Sequence, residues 1–132
     1  MAHYLLDANV LIWWLSDDPR LSPEVLRMLE NDSSCIHVSI LTLFEIELKT
    51  SNRRLQVGGN LIVDVLEKYA IDICHPMPRE LPDILSYPVG HKDPFDRAVI
   101  GLASLRGWKL VTSDAVLIKQ SGKKVKVIDS RK

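Results

Sequence analysis

The 132-residue chain reads as an α/β protein in which a parallel β-sheet is flanked by helices on both faces. Three features carry that reading. Short apolar runs of strand character alternate with helical segments along the whole length, the pattern of parallel βα units. Capping side chains, first-position prolines and a terminal glycine mark where helices begin and end. No internal repeat, linker or low-complexity tract interrupts the order, and the length suits a single domain spanning residues 1–132.

The elements follow in order. His3 to Leu6 is a short, mostly apolar run ending at Asp7, and the turn Asp7-Ala8-Asn9 leads into Val10-Leu11-Ile12-Trp13-Trp14-Leu15, apolar on all sides. That predicts a buried strand and then a helix, with Trp13 and Trp14 as core or dimer contacts rather than base-stacking groups. Ser22-Pro23-Glu24 combines a cap, a first-position proline and an acid in the first turn, so a helix runs from Pro23 to about Glu30. Cys35-Ile36-His37-Val38 is a second strand, and Ser39 caps a helix reaching about Ser51. Gly58-Gly59-Asn60 breaks the chain before an amphipathic helix, Leu61 to Tyr69, whose apolar row is Leu61, Ile62, Val65, Leu66 and Tyr69. Ile71 to Cys74 is a third strand, followed by a proline-punctuated segment with a short helix near Glu80 to Ser86. A helix from Pro94 to Arg106 stops at Gly107. Lys109 to Thr112 is a strand ending in Ser113-Asp114, Ala115 to Gln120 a short helix, and Val125 to Ile128 a last strand.

Composition narrows the function. With 46% hydrophobic and 26% charged residues, the chain is ordinary globular protein, not a disordered or disulfide-scaffolded one. Lys plus Arg and Asp plus Glu balance at 17 each, so no bulk field draws in a polyanion and any nucleic-acid binding rests on local patches. The basic run Lys123-Lys124-Val125-Lys126 with Arg131-Lys132 reads as a solvated edge strand and tail as readily as an RNA contact. No apolar run approaches the ~20 residues of a membrane span, and Met1-Ala2-His3-Tyr4 lacks a signal peptide's basic start, so a cytoplasmic location is expected. Cys35 and Cys74 fall in strands, as buried reduced thiols rather than a zinc site.

Ligands of open parallel sheets bind beyond the carboxyl ends of the strands. Asp7 and Asp114 directly follow strands and belong to that edge. Helices connecting parallel strands begin there, so Asp96, in a first turn, and Glu45, about two turns into its helix, can face the same place. Alternatives stand beside each. Asp7 and Asp114 could be plain caps, Glu45 could pair with Lys49 at i to i+4, and Glu47 is as eligible as Glu45 on periodicity. Asp96 shares its row with Ile100, Ala103 and Gly107, whereas Arg97, Gly101 and Ser104 form a more polar row where a solvated acid would sit. Asp93, just before Pro94, suits the cap and leaves Asp96 for a ligand's role. Clustered inward carboxylates call for a cation, and all-oxygen donors call for Mg²⁺ or Mn²⁺, whose natural work is phosphoryl chemistry.

The chain resembles PIN-domain ribonucleases, most closely the VapC-type toxins of toxin-antitoxin pairs. The resemblance rests on Leu5-Leu6-Asp7-Ala8-Asn9-Val10-Leu11-Ile12, Val38-Ser39-Ile40-Leu41-Thr42-Leu43-Phe44-Glu45-Ile46, Asp93-Pro94-Phe95-Asp96-Arg97 and Leu110-Val111-Thr112-Ser113-Asp114, in that order. It implies a PIN-like α/β/α sandwich and an acidic metal-binding catalytic set at Asp7, Glu45, Asp96 and Asp114, choosing Glu45 over Glu47. Asn9 and Thr112 would support the acids by hydrogen bonds, and Lys49, Lys92 and Arg97, with Arg53 and Arg54, are candidate phosphate contacts. Phe44 stands where relatives often carry another aromatic, and Leu81 to Gly90 fits no motif. The implied activity is Mg²⁺- or Mn²⁺-dependent endonucleolytic hydrolysis of single-stranded RNA, with homodimers and inhibition by a cognate antitoxin. Competing readings are a HAD-like or receiver-like phosphoryl-transfer domain, which would need further residues the chain lacks, and a non-catalytic PIN-like RNA-binding module.

Overall fold

The computed structural model describes residues 1–52, 59–90, 93–120 and 124–132. The chain runs β1 (Ala2–Leu6), α1 (Ala8–Leu15), α2 (Pro23–Glu30), β2 (Ser34–Ser39), α3 (Ile40–Ser51), α4 (Gly59–Lys68) and β3 (Asp72–Cys74), then, after a 3₁₀ turn at Pro78–Glu80, α5 (Leu81–Leu85), α6 (Pro94–Arg106), β4 (Lys109–Thr112), α7 (Ala115–Ile118) and β5 (Val127–Asp129). All strand pairs are parallel and the order is β3-β2-β1-β4-β5. The chain winds outward from β1 through β2 to β3, then returns to the other side of β1 with β4 and β5. The crevice between the ends of β1 and β4 is therefore the topological switch point.

Alternation along the strands fills both faces. Tyr4, Leu6, Ile36, Val38 and Val111 pack under α1 to α4, with Leu11, Val25, Leu29, Ile46, Ile62 and Leu66 supplied by those helices. Leu5, Leu110 and Val127 face the other way, under Ile84 of α5, Val99, Ile100, Leu102 and Ala103 of α6, and Leu117 of α7. Trp13 and Trp14 are buried in the first of these layers. Burying a large apolar side chain contributes about 1.5–3 kcal/mol, so these two layers fix the sheet that carries the site.

The helix signals act where the sequence places them. Ser22 caps α2 ahead of Pro23, Ser39 caps α3 through Leu41 N, and Gly107, at φ 71°, ends α6 in the left-handed conformation. Some boundaries differ. Helix α4 begins at Gly59 and takes in Asn60, which the sequence assigns to a chain break, while Gly58 lies outside the described residues. Ile62 and Leu66 of its predicted row are buried, but Tyr69 is half exposed and rests its ring against Trp14. Strand β5 starts two residues later than Val125. Cys74 is buried and Cys35 only half so, both as free thiols.

The more polar row of α6 is solvated only in part, with Arg97 and Ser104 half-buried and Gly101 fully covered. Gly101 is buried against α5, where an added Cβ would lie 1.9 Å from the Ile84 carbonyl oxygen. Only glycine admits that approach. The segment Leu81 to Gly90, without a motif in the sequence, is this packing partner, and it adds Ile84 of α5 and Tyr87 beyond it to the core. Among the described residues no helix is long and apolar enough to cross a membrane.

Candidate active site

Each acid reaches the switch point through its own local device. Asp7 ends β1 and caps α1, accepting from Ala8 N at 2.8 Å. Asp114 follows β4 and caps α7 through Leu117 N at 2.9 Å. Asp93 caps α6 through Phe95 N at 2.8 Å and Asp96 N at 3.3 Å. Capping and facing the cleft are thus one placement, because a helix that starts at the carboxyl edge must put its cap there. Glu45 arrives from α3 and is 5% exposed, whereas Glu47 on the same helix is exposed.

These side chains share a cleft of about 350 Å³ lined by Asp7, Ala8, Asn9, Glu45, Lys49, Asp93, Asp96, Ser113, Asp114 and Ala115. A larger hollow of about 510 Å³ lies at the opposite edge of the sheet, around Trp14, Tyr69 and the start of β2. It holds none of the switch-point acids.

Thr112 organises the cleft's floor. Its hydroxyl donates to Asp7 Oδ2 at 2.7 Å and accepts from Asp114 N at 3.1 Å, so one fully buried residue spaces two acids. Asn9 donates to Ser113 Oγ at 3.3 Å, supporting the loop beside Asp114 rather than an acid directly. Lys49 lies within the cleft, its Nζ 2.9 Å from Glu45 Oε2. The i to i+4 pair of the sequence is therefore present, but its acid partner is buried. Arg97 turns away, donating to Leu85 O at 2.9 Å, and lines no part of the cleft. Lys92, Arg53 and Arg54 lie outside the described residues.

Burial governs the electrostatics of two of the cleft's acids. Burial, opposed by the hydrogen bonds from Thr112 and Ala8, pushes the Asp7 carboxyl above its ordinary range, and the charge of Asp114 adds to this. Burial also raises Glu45, against the bond and charge of Lys49, with Asp7 and Asp93 contributing in the same direction as burial. Glu45 Oε1 is buried with no hydrogen-bond partner among the described residues. A buried carboxylate oxygen in that state costs more than about 1 kcal/mol relative to a paired one, and a cation or proton relieves it. Among the described residues no three His, Cys, Asp or Glu side chains close into a metal cage. An open, all-oxygen cleft still fits Mg²⁺ or Mn²⁺, ions that keep several waters and use one or two carboxylates directly.

Comparison with known proteins follows the same lines. The model of the PIN domain family matches residues 4–123. Ribonuclease VapC22 of Mycobacterium tuberculosis is 26% identical over 117 residues, covering 86% of this chain and 88% of that protein. A chain in the crystal structure of VapBC2 from Rickettsia felis, bound to a DNA fragment from its promoter, superposes with a TM-score of 0.68 at 16% identity, covering 96% of this chain and 98% of the other. A chain of VapBC-1 from nontypeable Haemophilus influenzae gives 0.61 at 17% identity over 96% and 97%. These two likenesses are of fold.

Proposed function

This chain belongs to the PIN domain family, and from that membership we propose that it is a metal-dependent endoribonuclease hydrolysing single-stranded RNA. One observation carries the reading: Asp7, Glu45, Asp96 and Asp114, distant in sequence, line one cleft at the switch point. The buried, unpartnered Oε1 of Glu45 supports a cation there.

In this reading Asp7, Glu45, Asp96 and Asp114 hold Mg²⁺ or Mn²⁺. Such an ion, when bound, lowers the pKa of water and stabilises charge on phosphodiester oxygens. The protein's part is placement. Thr112 fixes the Asp7 carboxylate and the Asp114 amide, and the Asp93 cap fixes the first turn from which Asp96 projects. Lys49, paired with Glu45 in this structure, would also be placed to meet a phosphate oxygen were Glu45 to hold the ion. Lys92 is retained as a second phosphate contact, while Arg97 serves to hold α5. Water attacks directly and the protein forms no covalent intermediate.

The same reading makes the protein the toxin of a cytoplasmic toxin-antitoxin pair, homodimeric and restrained by its cognate antitoxin. The relative named a VapC ribonuclease supports this. So does the surface beside the cleft: Ile40, Phe44 and Leu48, four apart on α3, are 39%, 60% and 43% exposed, and Phe44 meets Phe95 of α6. An exposed apolar stripe of that kind asks for a protein partner.

Purified protein should cleave a single-stranded RNA with Mg²⁺ or Mn²⁺ and stop on chelation with EDTA. Asp7→Asn or Asp96→Asn should reduce the rate at least about a hundredfold, with an unchanged circular dichroism spectrum. Undiminished cleavage by both variants would remove these residues from the mechanism.

A further inference from the structure

The carboxyl edge of the sheet carries a second hollow, of about 420 Å³, lined by Trp13, Pro19, Arg20, Arg131 and Lys132. Strand register sets its place beside the acids. Thr112 of β4 pairs with Asp129 of β5, Ser130 N donates to the Thr112 carbonyl at 2.9 Å, and Leu21 bridges to Arg131. Thr112 thus stands between the two hollows. Its hydroxyl serves Asp7 and Asp114, and its carbonyl serves the strand end that leads to Arg131.

The two arginines are held alike. Arg20 donates through Nε and Nη2 to the carboxylate of Asp18, at 3.1 and 2.7 Å, and Arg131 does the same to Asp129, at 2.9 Å for each. In both cases the arginine's own backbone N–H also donates to that acid. These forks fix the guanidinium planes and engage Nε and Nη2, leaving Nη1 and, on Arg20, the face turned away from Trp13 for a ligand. Arg20 lies over the Trp13 ring, its Cζ 4.8 Å from the centroid, and its side chain is 68% exposed. The fork to Asp129 raises the pKa of Arg131.

Two fork-held guanidinium planes, that of Arg20 lying on the Trp13 ring, match single-stranded nucleic acid. The face stacks on a base, and the remaining N–H groups meet phosphate without fresh loss of rotamer freedom. The acidic cleft repels the same strand, with Lys49 its one cation among the described residues. A polyanion held there needs anchoring cations to the side. Resting on the nuclease reading, we propose that the hollow at Trp13, Arg20, Arg131 and Lys132 is a nucleotide subsite: a base flanking the scissile bond stacks on Arg20, and the neighbouring phosphate is held by Arg131 and Lys132.

The test uses the full chain carrying Asp7→Asn, which binds without cutting, and a fluorescent single-stranded oligoribonucleotide read by anisotropy in Mg²⁺. Adding Arg20→Ala and Lys132→Ala should weaken binding about tenfold. The slope of log affinity against log salt should become shallower by about 0.7 for each phosphate no longer neutralised. Arg20→Lys alone should keep the parent's slope but not its full affinity. In the cleaving chain the same changes should raise KM and leave kcat within about twofold. Arg20 is exposed, and thermal melts check each variant's fold. Should the double variant melt early, Arg20→Gln carries the test alone. Equal affinity in parent and variant overturns the subsite, as does a change of sedimentation with RNA binding intact, which would make the hollow a protein contact. Cleaving wild type with an unaffected variant removes only this subsite, whereas a wild type that neither cleaves nor binds RNA removes the nuclease reading and the subsite with it.

Discussion

The two ends of α6 carry charge in the order a helix dipole favours, acids at the start and a base in the last turn, yet they do opposite things. At the C-terminal end Arg106 forks onto Glu80, Nη2 meeting Oε1 at 3.0 Å and Nη1 meeting Oε2. The hydrogen bonds from Arg106, and then that from Met77 N, hold the Glu80 carboxyl down to about 2. At the N-terminal end Asp93 and Asp96 join Asp7, Glu45 and Asp114 around one lysine among the described residues. There burial drives Asp7 and Glu45 upward. The part-buried Arg106–Glu80 pair closes on itself and serves the fold. Around the cleft, burial holds Asp7 and Glu45 toward the protonated form, a setting that a bound cation relieves.

The contrast can be broken most severely in the middle of the helix. Gly101→Ala forces a methyl against the Ile84 carbonyl, separating α5 from α6 and disturbing both ends. A loss of about 3 kcal/mol or more is expected, seen as a large fall in Tm. A Tm unchanged within about a degree would mean that α5 yields freely and that the helix is not braced there.

Next in size is the N-terminal side alone. Thr112→Val keeps the shape but removes the hydroxyl that holds Asp7 and the Asp114 amide. Mn²⁺ affinity by calorimetry should fall about 10- to 100-fold. Glu80→Gln, at the other end, should leave that affinity alone. Equal metal binding in wild type and Thr112→Val would deny Thr112 a positioning role.

The smallest effects have opposite signs. Asp7 has its folded pKa raised, so the unfolded chain gives up its proton first. Stability of the metal-free protein then falls as pH rises from about the ordinary value of 3.8 through the raised folded value. Asp7→Asn should accordingly raise the metal-free Tm at neutral pH, by roughly 3–5 °C for each kcal/mol relieved. Glu80 has its folded pKa lowered, so its contribution is present above the ordinary value of 4.5 and is lost as pH falls toward about 2. Glu80→Gln should flatten only that acid limb, and modestly, since the pair is only part-buried and solvent screens it. Stability curves against pH for both variants, without metal, check the signs. Parallel curves would abolish the distinction between the two ends.

Much of this is legible along the chain because its signals are local. Ser22-Pro23, Ser39, Asp93-Pro94 and Gly107 each act on amides or carbonyls a few residues away, so the starts of α2, α3 and α6 and the end of α6 can be read directly. The start of α4 cannot, because Gly59-Asn60 suits a break as well as a first turn. Periodicity does not separate Glu45 from Glu47; the family resemblance chooses Glu45, the one that is buried. Gly101 looks polar by its neighbours in the row, although its meaning is its lack of a side chain facing Ile84.

The order of strands and helices, the parallel sheet they build, and the acids that stand at strand ends or in first turns can be read along the chain, since backbone propensity, caps and hydrophobic period reach only about one helical turn. The partners come from the assembled fold: which acid Thr112 holds, that Arg97 serves Leu85 rather than the cleft, that Glu45 keeps an oxygen unpaired, and that Trp13, Arg20 and Arg131 line one hollow. A hydrogen bond or ion pair depends on separations of a few ångströms between segments far apart in the chain. Those separations exist only once the sheet is assembled and both its faces are packed.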